Sequence, residues 1–316
     1  MVTSQLPICT TSAAVDIGGS GARFWARTAV PDGSGFMLTR SASVLWNANA
    51  TSLASDLVTL RALLSKVSLL PAHVGNMVVS FPGAITASGL VSRWPNRPHW
   101  VGFDLVGLMR DALPSFEFTI LDDAVCAALG FIGEDPAADC CGLLYVGIGT
   151  GIGGAHVPPD AMRGPLTPST VDLVRSVELG HQIIGGEALC SCGRNGCVQA
   201  YARAGSLTGR PTHEREIATR AIATAVVNLA EVLPIDLVML GGGALCTVDD
   251  LGRCLQEAVT GLARSGSRPI RVSVSRAPEQ ASLTGARLLA ISLRQSSAPM
   301  SSESIQRSTI NLGGHL

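Results

Sequence analysis

Short apolar runs that end in glycine-rich turns alternate along the chain with segments of helical spacing, which predicts an α/β protein. The apolar run 13–17 predicts a strand that ends in a glycine turn at 18–21, and leucine and valine recur at helical spacing over 53–67. A Pro/Gly/Ser-rich stretch at 31–35 predicts a hairpin loop. The further predicted strands are 23–30, 36–44, 77–80, 118–121, 142–146, 235–240 and 270–275. The further predicted helices are 105–113, 124–130, 214–232, 248–263 and 280–293.

The same order of predicted strand, glycine-rich turn and strand occurs twice, which predicts two α/β halves. Each half opens with a strand, a glycine-rich turn and a second strand, in the segments DIGGSGARFWA and VGIGTGIGGAHV. Glycine lets backbone N–H groups approach a phosphate without a Cβ in the way, although such turns also close ordinary hairpins. Two of them in matching positions, with GGG at 241–243 after a further strand, favour phosphate binding.

Composition limits the class of protein. A chain of 316 residues with 47% hydrophobic residues is long enough for two domains. The formal net charge is −1 and no basic stripe is present, so we expect no nucleic-acid partner. The most apolar stretch, 221–243, is interrupted by polar residues and proline, and the N-terminus does not resemble a signal peptide. We therefore expect a cytoplasmic protein without a membrane partner, whose nine cysteines are thiols or metal ligands rather than disulfides.

Three of these cysteines lie within eight residues, in the segment CSCGRNGC at 190–197, shortly after ELGH at 178–181. The alternatives are a metal site, a redox pair and free thiols. One imidazole and three thiolates form the closed tetrahedral set that structural zinc prefers. Such a set leaves no position open for water, so we expect a metal here to support the structure and not to carry out chemistry.

Five segments together resemble one family: DIGGS, ILDDAVCAALG, GIGTGIGG, ELGH and CSCGRNGC. They are similar to the ROK group of sugar kinases and repressors, in the actin/hexokinase/Hsp70-like superfamily, over about 13–293. The resemblance implies an α/β, two-domain actin/hexokinase-like (ribonuclease H-like) fold with a cleft between the lobes, and a homodimer. It implies a small N-terminal lobe over 1–121 and a large C-terminal lobe with the zinc site over 122–294. The last helix, 280–294, is then able to pack back on the small lobe, and 295–316 is a flexible tail.

The resemblance also implies roles for individual residues. Asp123 is the catalytic base that takes the proton of the sugar hydroxyl, although an N-cap for the following helix is the alternative. Asp16 lies near Mg²⁺ and the phosphates, although a turn residue is the alternative. The implied sugar contacts are Gly83, Asn96, Asp122, Asp123, Glu178, His181 and Gln199. The implied ATP and phosphate contacts are Asp16, Gly18, Gly19, Ser20, Thr150, Gly151, Gly241, Gly242 and Gly243. The implied zinc ligands are His181, Cys190, Cys192 and Cys197.

The chain departs from the family pattern at three positions. Asp122 stands where most relatives have Asn near the C3 hydroxyl, and Gln199 stands where most have Glu near C1 or C2. Gly21 stands where many have Lys or Asn, and Arg23 is a candidate to compensate. A carboxylate near C3 favours an ammonium group there, so we expect ATP-dependent phosphorylation of the 6-hydroxyl of kanosamine, 3-amino-3-deoxyglucose, as in antibiotic pathways of the aminoshikimate type. A glucokinase is the equal alternative, and a C7-cyclitol-like substrate is a third.

Two classes without kinase activity are also open within this group. Repressors of the group carry a DNA-binding module ahead of the kinase-like fold, and here the first glycine turn follows too soon after Met1 to leave room for one. A sugar sensor without catalysis would be expected to lack the base or the glycine turns, and both are present. We therefore expect an enzyme.

Overall fold

The computed structural model describes residues 10–30, 36–47, 52–68, 74–134, 140–248 and 250–295. The predicted loop at 31–35 and the predicted tail beyond Gln295 lie outside these residues. The strands are β1 (Thr10–Ile17), β2 (Gly21–Ala29), β3 (Phe36–Leu45), β4 (Val74–Phe81), β5 (Ala84–Ile85), β6 (Val91–Arg93), β7 (Phe116–Asp122), β8 (Leu143–Ile148), β9 (Ile152–Val157), β10 (Arg175–Val177), β11 (Leu237–Gly241) and β12 (Arg271–Val274). The helices are α1 (Leu53–Ser68), α2 (Leu105–Ala112), α3 (Asp123–Glu134), α4 (Pro159–Met162), α5 (Pro168–Leu173), α6 (Val198–Ala202), α7 (Ala204–Leu207), α8 (Thr212–Ala230), α9 (Leu251–Leu262) and α10 (Ala281–Gln295).

The first of two compact units contains the described residues up to Asp122 and those from Ala286 onward. Its five-stranded sheet has the order β3-β2-β1-β4-β7, in which β1, β4 and β7 are parallel and β2 and β3 are antiparallel to their neighbours. Helix α1 buries one leucine-rich face, as its spacing predicts, and Leu60 and Leu63 are both fully buried. Trp94 and Trp100 pack edge to face at 5.0 Å in the same core.

The second unit, Asp123–Gly285, repeats this topology. Its sheet has the order β10-β9-β8-β11-β12, with β8, β11 and β12 parallel and β9 and β10 antiparallel to their neighbours. The buried face of α8 packs in a core of its own with residues of β8, β11 and α9. Both glycine turns therefore occupy the same place in the topology, between the first strand of a sheet and its antiparallel partner.

Because parallel strands end at the same edge of a sheet, the polar residues at their carboxyl ends come together. In the first unit, Asp16 of β1 pairs in register with Ser80 of β4, and Asp122 of β7 pairs with Phe81. In the second unit, Gly147 of β8 pairs with Gly241 of β11, so the second glycine turn and the GGG turn begin at one edge. The candidate phosphate-binding turns therefore lie at the carboxyl edges of their sheets.

Two glycines bring α3 and α10 into backbone contact. A Cβ built at Gly130 would lie 2.8 Å from the nitrogen of Gly285, and a Cβ built at Gly285 would overlap the carbonyl oxygen of Cys126. Both glycines are buried. The contact holds the helix that begins at Asp123 against the start of the last helix.

Two of the differences from the sequence prediction have a clear physical cause. The helix predicted over 248–263 begins at Leu251, because Asp250 has φ 65°, in the left-handed region that does not continue a helix. The ribbon of β5 and β6 was not predicted, because two- and three-residue strands carry no periodic signal. Among the helices of the described residues, none is both long and apolar enough to cross a membrane.

Candidate active site and metal centre

The first glycine turn joins β1 to β2, and Asp16 lies just before it. Asp16 is 4% exposed, and its carboxylate accepts hydrogen bonds from the Ser80 hydroxyl at 2.8 Å and from the Arg23 guanidinium at 2.6 Å. Arg23 is the direct cross-strand partner of Asp16, so β2 supplies a positive charge next to this carboxylate. The carboxylate is therefore held by side chains of two neighbouring strands.

Gly21 has a steric reason to be glycine. A Cβ at this position would lie 2.2 Å from the carbonyl oxygen of Val44 on β3. The chain therefore has no room at position 21 for a side chain such as that of lysine or asparagine. Arg23 lies two residues further along β2 and on the same face, which makes it the nearest positive side chain on that strand.

Asp122 and Asp123 lie at the junction of β7 and α3, and both are half-buried. Asp122 is the last residue of the strand and belongs to the first unit, whereas Asp123 is the first residue of the helix and belongs to the second. The Oδ1 atom of Asp123 lies 3.9 Å from the position that a Cβ on Gly153 would take. The proposed base therefore lies beside β9, the strand that follows the second glycine turn.

The second glycine turn, which contains Thr150 and Gly151, is tied to the start of α6. The Gln199 side-chain carbonyl accepts a hydrogen bond from the Ile152 amide at 3.1 Å, and its amide nitrogen lies 3.4 Å from the Ser191 hydroxyl. A Cβ on Gly151 would come within 2.8 Å of the Gln199 oxygen. Gln199 therefore joins the second glycine turn to the cysteine-rich segment.

The glycines at 241–243 differ in how much space surrounds them. A Cβ on Gly241 would clash with the Tyr145 hydroxyl, and one on Gly242, which has φ 95°, would clash with the Ile148 carbonyl oxygen. A Cβ on Gly243 would meet no atom within 4 Å. Packing therefore explains the first two glycines, and open space beside the third is compatible with a nucleotide.

The predicted sugar contacts are divided between the two units. Gly83 and Asn96 flank the β5–β6 ribbon of the first unit, where Asn96 is exposed. In the second unit, Glu178 precedes a short 3₁₀ turn that ends at His181. A Cβ on Gly180 in this turn would lie 3.1 Å from the Gln199 oxygen, so the turn packs against that side chain. The structure thus brings Glu178, His181 and Gln199 into one part of the second unit.

The four predicted metal ligands form a compact cluster. The ligand atoms of His181, Cys190, Cys192 and Cys197 all lie within 4.8 Å of one another. The His181 Nδ1 atom is 3.7 Å from the Cys190 sulfur, and the Cys192 and Cys197 sulfurs are 3.7 Å apart. Zinc–sulfur bonds of about 2.3 Å at tetrahedral angles give sulfur–sulfur edges of about 3.75 Å, so the donor set fits a tetrahedral zinc ion.

Glycines shape the backbone of the cysteine-rich segment, and an arginine affects the ionisation of one of its thiols. Gly193 and Gly196 have φ of 86° and 75°, which lets the chain reverse twice between Cys190 and Cys197. Hydrogen bonding to Arg194 lowers the pKa of the Cys192 thiol to about 6, and burial raises the pKa of the Cys197 thiol to about 11. Cys192 is therefore the more readily ionised of these two thiols, and thiolates are the form that binds metal.

Sequence reasoning missed a buried charged cluster in the first unit. Asp56 of α1 is fully buried and accepts hydrogen bonds from Arg97 at 2.7 and 2.8 Å, from His99 at 2.8 Å and from Trp100 at 2.8 Å. Asp56 lies on the leucine-bearing face of its helix, and a charge at such a position was the signal in the sequence. Its partners lie in RWPNRPHW, the segment that was singled out only for Asn96.

Comparison with known proteins identifies the family of this chain. A family model described as the ROK family matches residues 12–212. The chain belongs to the ROK family. This ROK family protein is 32% identical over 310 residues to the kanosamine kinase of Amycolatopsis mediterranei (strain S699), with 87% of this chain and 94% of that protein covered. It is 26% identical over 222 residues to an N-acetylmannosamine kinase of Vibrio cholerae serotype O1, with 61% of this chain and 74% of that protein covered.

Solved ROK structures share its fold. The ROK family glucokinase of Streptomyces griseus, determined with glucose and AMPPNP, superimposes with a TM-score of 0.63 at 18% identity, over 89% of this chain and 99% of that one. The ROK hexokinase of Thermus thermophilus gives a TM-score of 0.62 at 21% identity, over 90% and 99% of the two chains. The predicted family and the predicted α/β fold of the actin/hexokinase type are confirmed.

Proposed function

We propose that this ROK family protein is an ATP-dependent sugar kinase that transfers the γ-phosphate to the 6-hydroxyl of kanosamine, an aminosugar. The observation that carries the proposal is the 32% identity to a kanosamine kinase over 87% of the chain. The presence of Asp123 and of both glycine turns supports catalysis rather than sugar sensing alone.

In this proposal, Asp123 is the general base. Asp123 is the first residue of α3, and its Oδ1 atom lies close to Gly153, just after the second glycine turn of the same unit, which supports this role. It accepts the proton of the 6-hydroxyl as that oxygen attacks the γ-phosphorus. The rest of the protein contributes mainly by positioning the two substrates.

The phosphates are bound by the two glycine turns. The Gly18 N–H already donates to the Gly21 carbonyl at 2.8 Å, so the donors are the backbone N–H groups of Gly19–Ser20 and of Thr150–Gly151. Arg23 supplies a positive charge that position 21 has no room for. When bound, Mg²⁺ neutralises charge that develops on the transferred phosphoryl group. Because the oxygens of Asp16 already accept from Ser80 and Arg23, this carboxylate is suited to contact Mg²⁺ through water.

The preference for an aminosugar rests on Asp122. A carboxylate near C3 of the sugar gains a charge-assisted hydrogen bond from an ammonium group, which is about twice as strong as a neutral one. Zinc on the cysteine cluster would fix the segment that carries Glu178 and His181. With Nδ1 of His181 facing Cys190, the Nε2 atom on the other side of the ring is available to a sugar hydroxyl.

The experiment is a comparison of sugars with ATP as the donor. We expect kanosamine to have a higher kcat/KM than glucose, glucosamine, mannosamine or N-acetylmannosamine, and ³¹P–¹H NMR of the product to place the phosphate on O6. Glucose consumed faster than kanosamine by a wide margin would establish the alternative, a glucokinase. Absence of sugar-dependent ADP formation with every sugar would contradict a kinase of this class.

The same experiment includes two matched variants. Asp122→Asn removes the charge proposed to face C3, whereas Asp111→Asn makes the same change at an exposed position of α2. We expect Asp122→Asn to lower the ratio of kcat/KM for kanosamine to that for glucose by about tenfold or more, because a charged hydrogen bond is worth about 1.5–3 kcal/mol. Asp111→Asn should leave the ratio unchanged. If both variants had the same ratio, Asp122 would not determine the preference for kanosamine over glucose.

A further inference from the structure

In the first glycine turn, the carbonyl oxygens of Gly18, Gly19 and Ser20 each accept a hydrogen bond from Trp46 or Arg97. The Gly18 oxygen accepts from the Trp46 indole at 2.8 Å, the Gly19 oxygen from Arg97 Nε at 3.2 Å, and the Ser20 oxygen from the Trp46 backbone amide at 3.0 Å. No cis peptide bond occurs in the described chain. In a planar trans peptide the N–H points opposite to the C=O of the same unit. The amides of Gly19 and Ser20 therefore point away from Trp46 and Arg97.

The two donor side chains are themselves fixed. Arg97 is held by the fully buried Asp56, and its guanidinium lies 5.1 Å from the centre of the Trp46 ring. Burial opposes the charged form of Asp56, but hydrogen bonds from His99, Trp100 and Arg97 outweigh it and lower the pKa of this carboxyl. The carboxylate is thus charged at neutral pH, and Arg97 has a permanent partner that fixes the direction of its Nε–H.

We propose that Arg97 and Trp46 are positioning residues for the phosphates of the nucleotide, with Asp56 as the anchor of Arg97. By binding the carbonyl oxygens of Gly18 and Gly19, they keep the amides of Gly19 and Ser20 directed at the anion. A peptide flip would present a carbonyl oxygen to the phosphate instead, so fixed peptides make the turn a ready anion site. This inference rests on one part of the proposed function, namely that the first glycine turn binds the phosphates of a nucleotide.

The decisive experiment compares two tryptophan variants. Trp46→Phe keeps an aromatic ring but removes the indole donor to Gly18. Trp94→Phe makes the same change in the same core, where the buried Trp94 Nε1 has no hydrogen-bond partner among the described residues. The probe is MgADP, and its dissociation constant is measured by calorimetry. We expect Trp46→Phe to raise this constant about fivefold, the effect of one hydrogen bond, and Trp94→Phe to leave it within about twofold.

A second variant tests Arg97 in the same way. Arg97→Lys keeps a positive charge beside Asp56 but loses the Nε donor to Gly19, and we expect it also to weaken MgADP binding severalfold. In both Arg97→Lys and Trp46→Phe the dissociation constant for the sugar should change much less than that for MgADP. A purely structural role would lower thermal stability and weaken both ligands alike, which would overturn the inference.

The outcomes separate this inference from the proposed function. If wild-type protein binds MgADP and the two tryptophan variants bind it equally well, the positioning role is wrong and the kinase proposal is unaffected. If wild-type protein binds MgADP but phosphorylates no sugar, the proposed function is wrong, while the comparison of the variants still decides the inference. If wild-type protein does not bind MgADP, both are wrong.

Discussion

Asp56 places a carboxylate on a helix face whose other members are leucines and a valine. Removing a carboxylate from water is costly, and only a full set of donors offsets that cost. Here Arg97, His99 and Trp100 supply four hydrogen bonds to its two oxygens. The buried carboxylate of Asp56 is therefore tolerated only while all four hydrogen bonds are present.

We expect Asp56→Asn to lower the free energy of unfolding by about 3 kcal/mol at pH 7, because it leaves Arg97 buried without its counter-charge. The pKa of Asp56 in the folded protein lies below the unfolded value of 3.8. Its contribution is therefore fully present above pH 3.8 and is lost as the pH falls further, through the folded pKa. Urea unfolding at pH 7 and across pH 5 to 3 measures both effects.

The matched control for this change is Asp111→Asn at its exposed site on α2. It should leave both the stability and its dependence on pH close to wild type. A variant at Asp56 that kept the wild-type loss of stability below pH 4 would show that other carboxyl groups are responsible.

The carboxylate of Asp123 is expected to act in the chemical step rather than in binding. Asp123→Asn should reduce kcat about a hundredfold or more, because an amide cannot accept the proton. The dissociation constants for sugar and MgADP should change little. Single-turnover kinetics and calorimetry measure the two effects separately, and near-normal turnover would mean that another group is the base.

Sequence alone could find some of these residues and not others. The motif around Asp122 and Asp123 is contiguous, so it was visible. Asp56 was not, because its partners lie 41, 43 and 44 residues away and nothing in the local spacing connects them. The sequence also suggested a missing phosphate contact at Gly21, and only the structure shows that the backbone of Val44 occupies that space.

At the scale of single elements, the segment 181–197 is shaped around its four ligands. Its turns are made by left-handed glycines, and the Tyr201 hydroxyl of α6 donates to the Gly185 carbonyl at 3.2 Å. The cluster was predictable because its ligands span only 17 residues, so sequence spacing carries most of the geometry. The helix starting at Leu251 was placed three residues too early because a left-handed Asp leaves no signal in the apolar pattern.

We expect purified wild-type protein to contain one zinc ion per chain. Cys192→Ser should lose most of that zinc and lower the melting temperature, because binding of a structural metal contributes to folding. Cys246→Ser is the matched control, since Cys246 is also exposed and in the same unit but outside the cluster. Elemental analysis and thermal unfolding are the measurements. Wild-type protein prepared without chelators and free of zinc would contradict the prediction.

At the scale of the whole molecule, each unit repeats one strand order around its own glycine turn and its own core. The duplication was visible in the sequence because the two glycine turns are short and contiguous. The shared order of the strands was not visible, since strand pairing joins residues far apart and depends on packing. The same repetition puts one glycine turn at the carboxyl edge of each sheet.

The contact of Gly130 with Gly285 has a practical consequence for anyone who wants a more robust enzyme. Replacing helical glycines by alanine commonly stabilises proteins by restricting the unfolded chain. At Gly285 the added methyl group would force α10 away from α3 and shift the helix that starts with Asp123. Gly261 on α9, where a Cβ would meet no atom within 4 Å, is the place to begin.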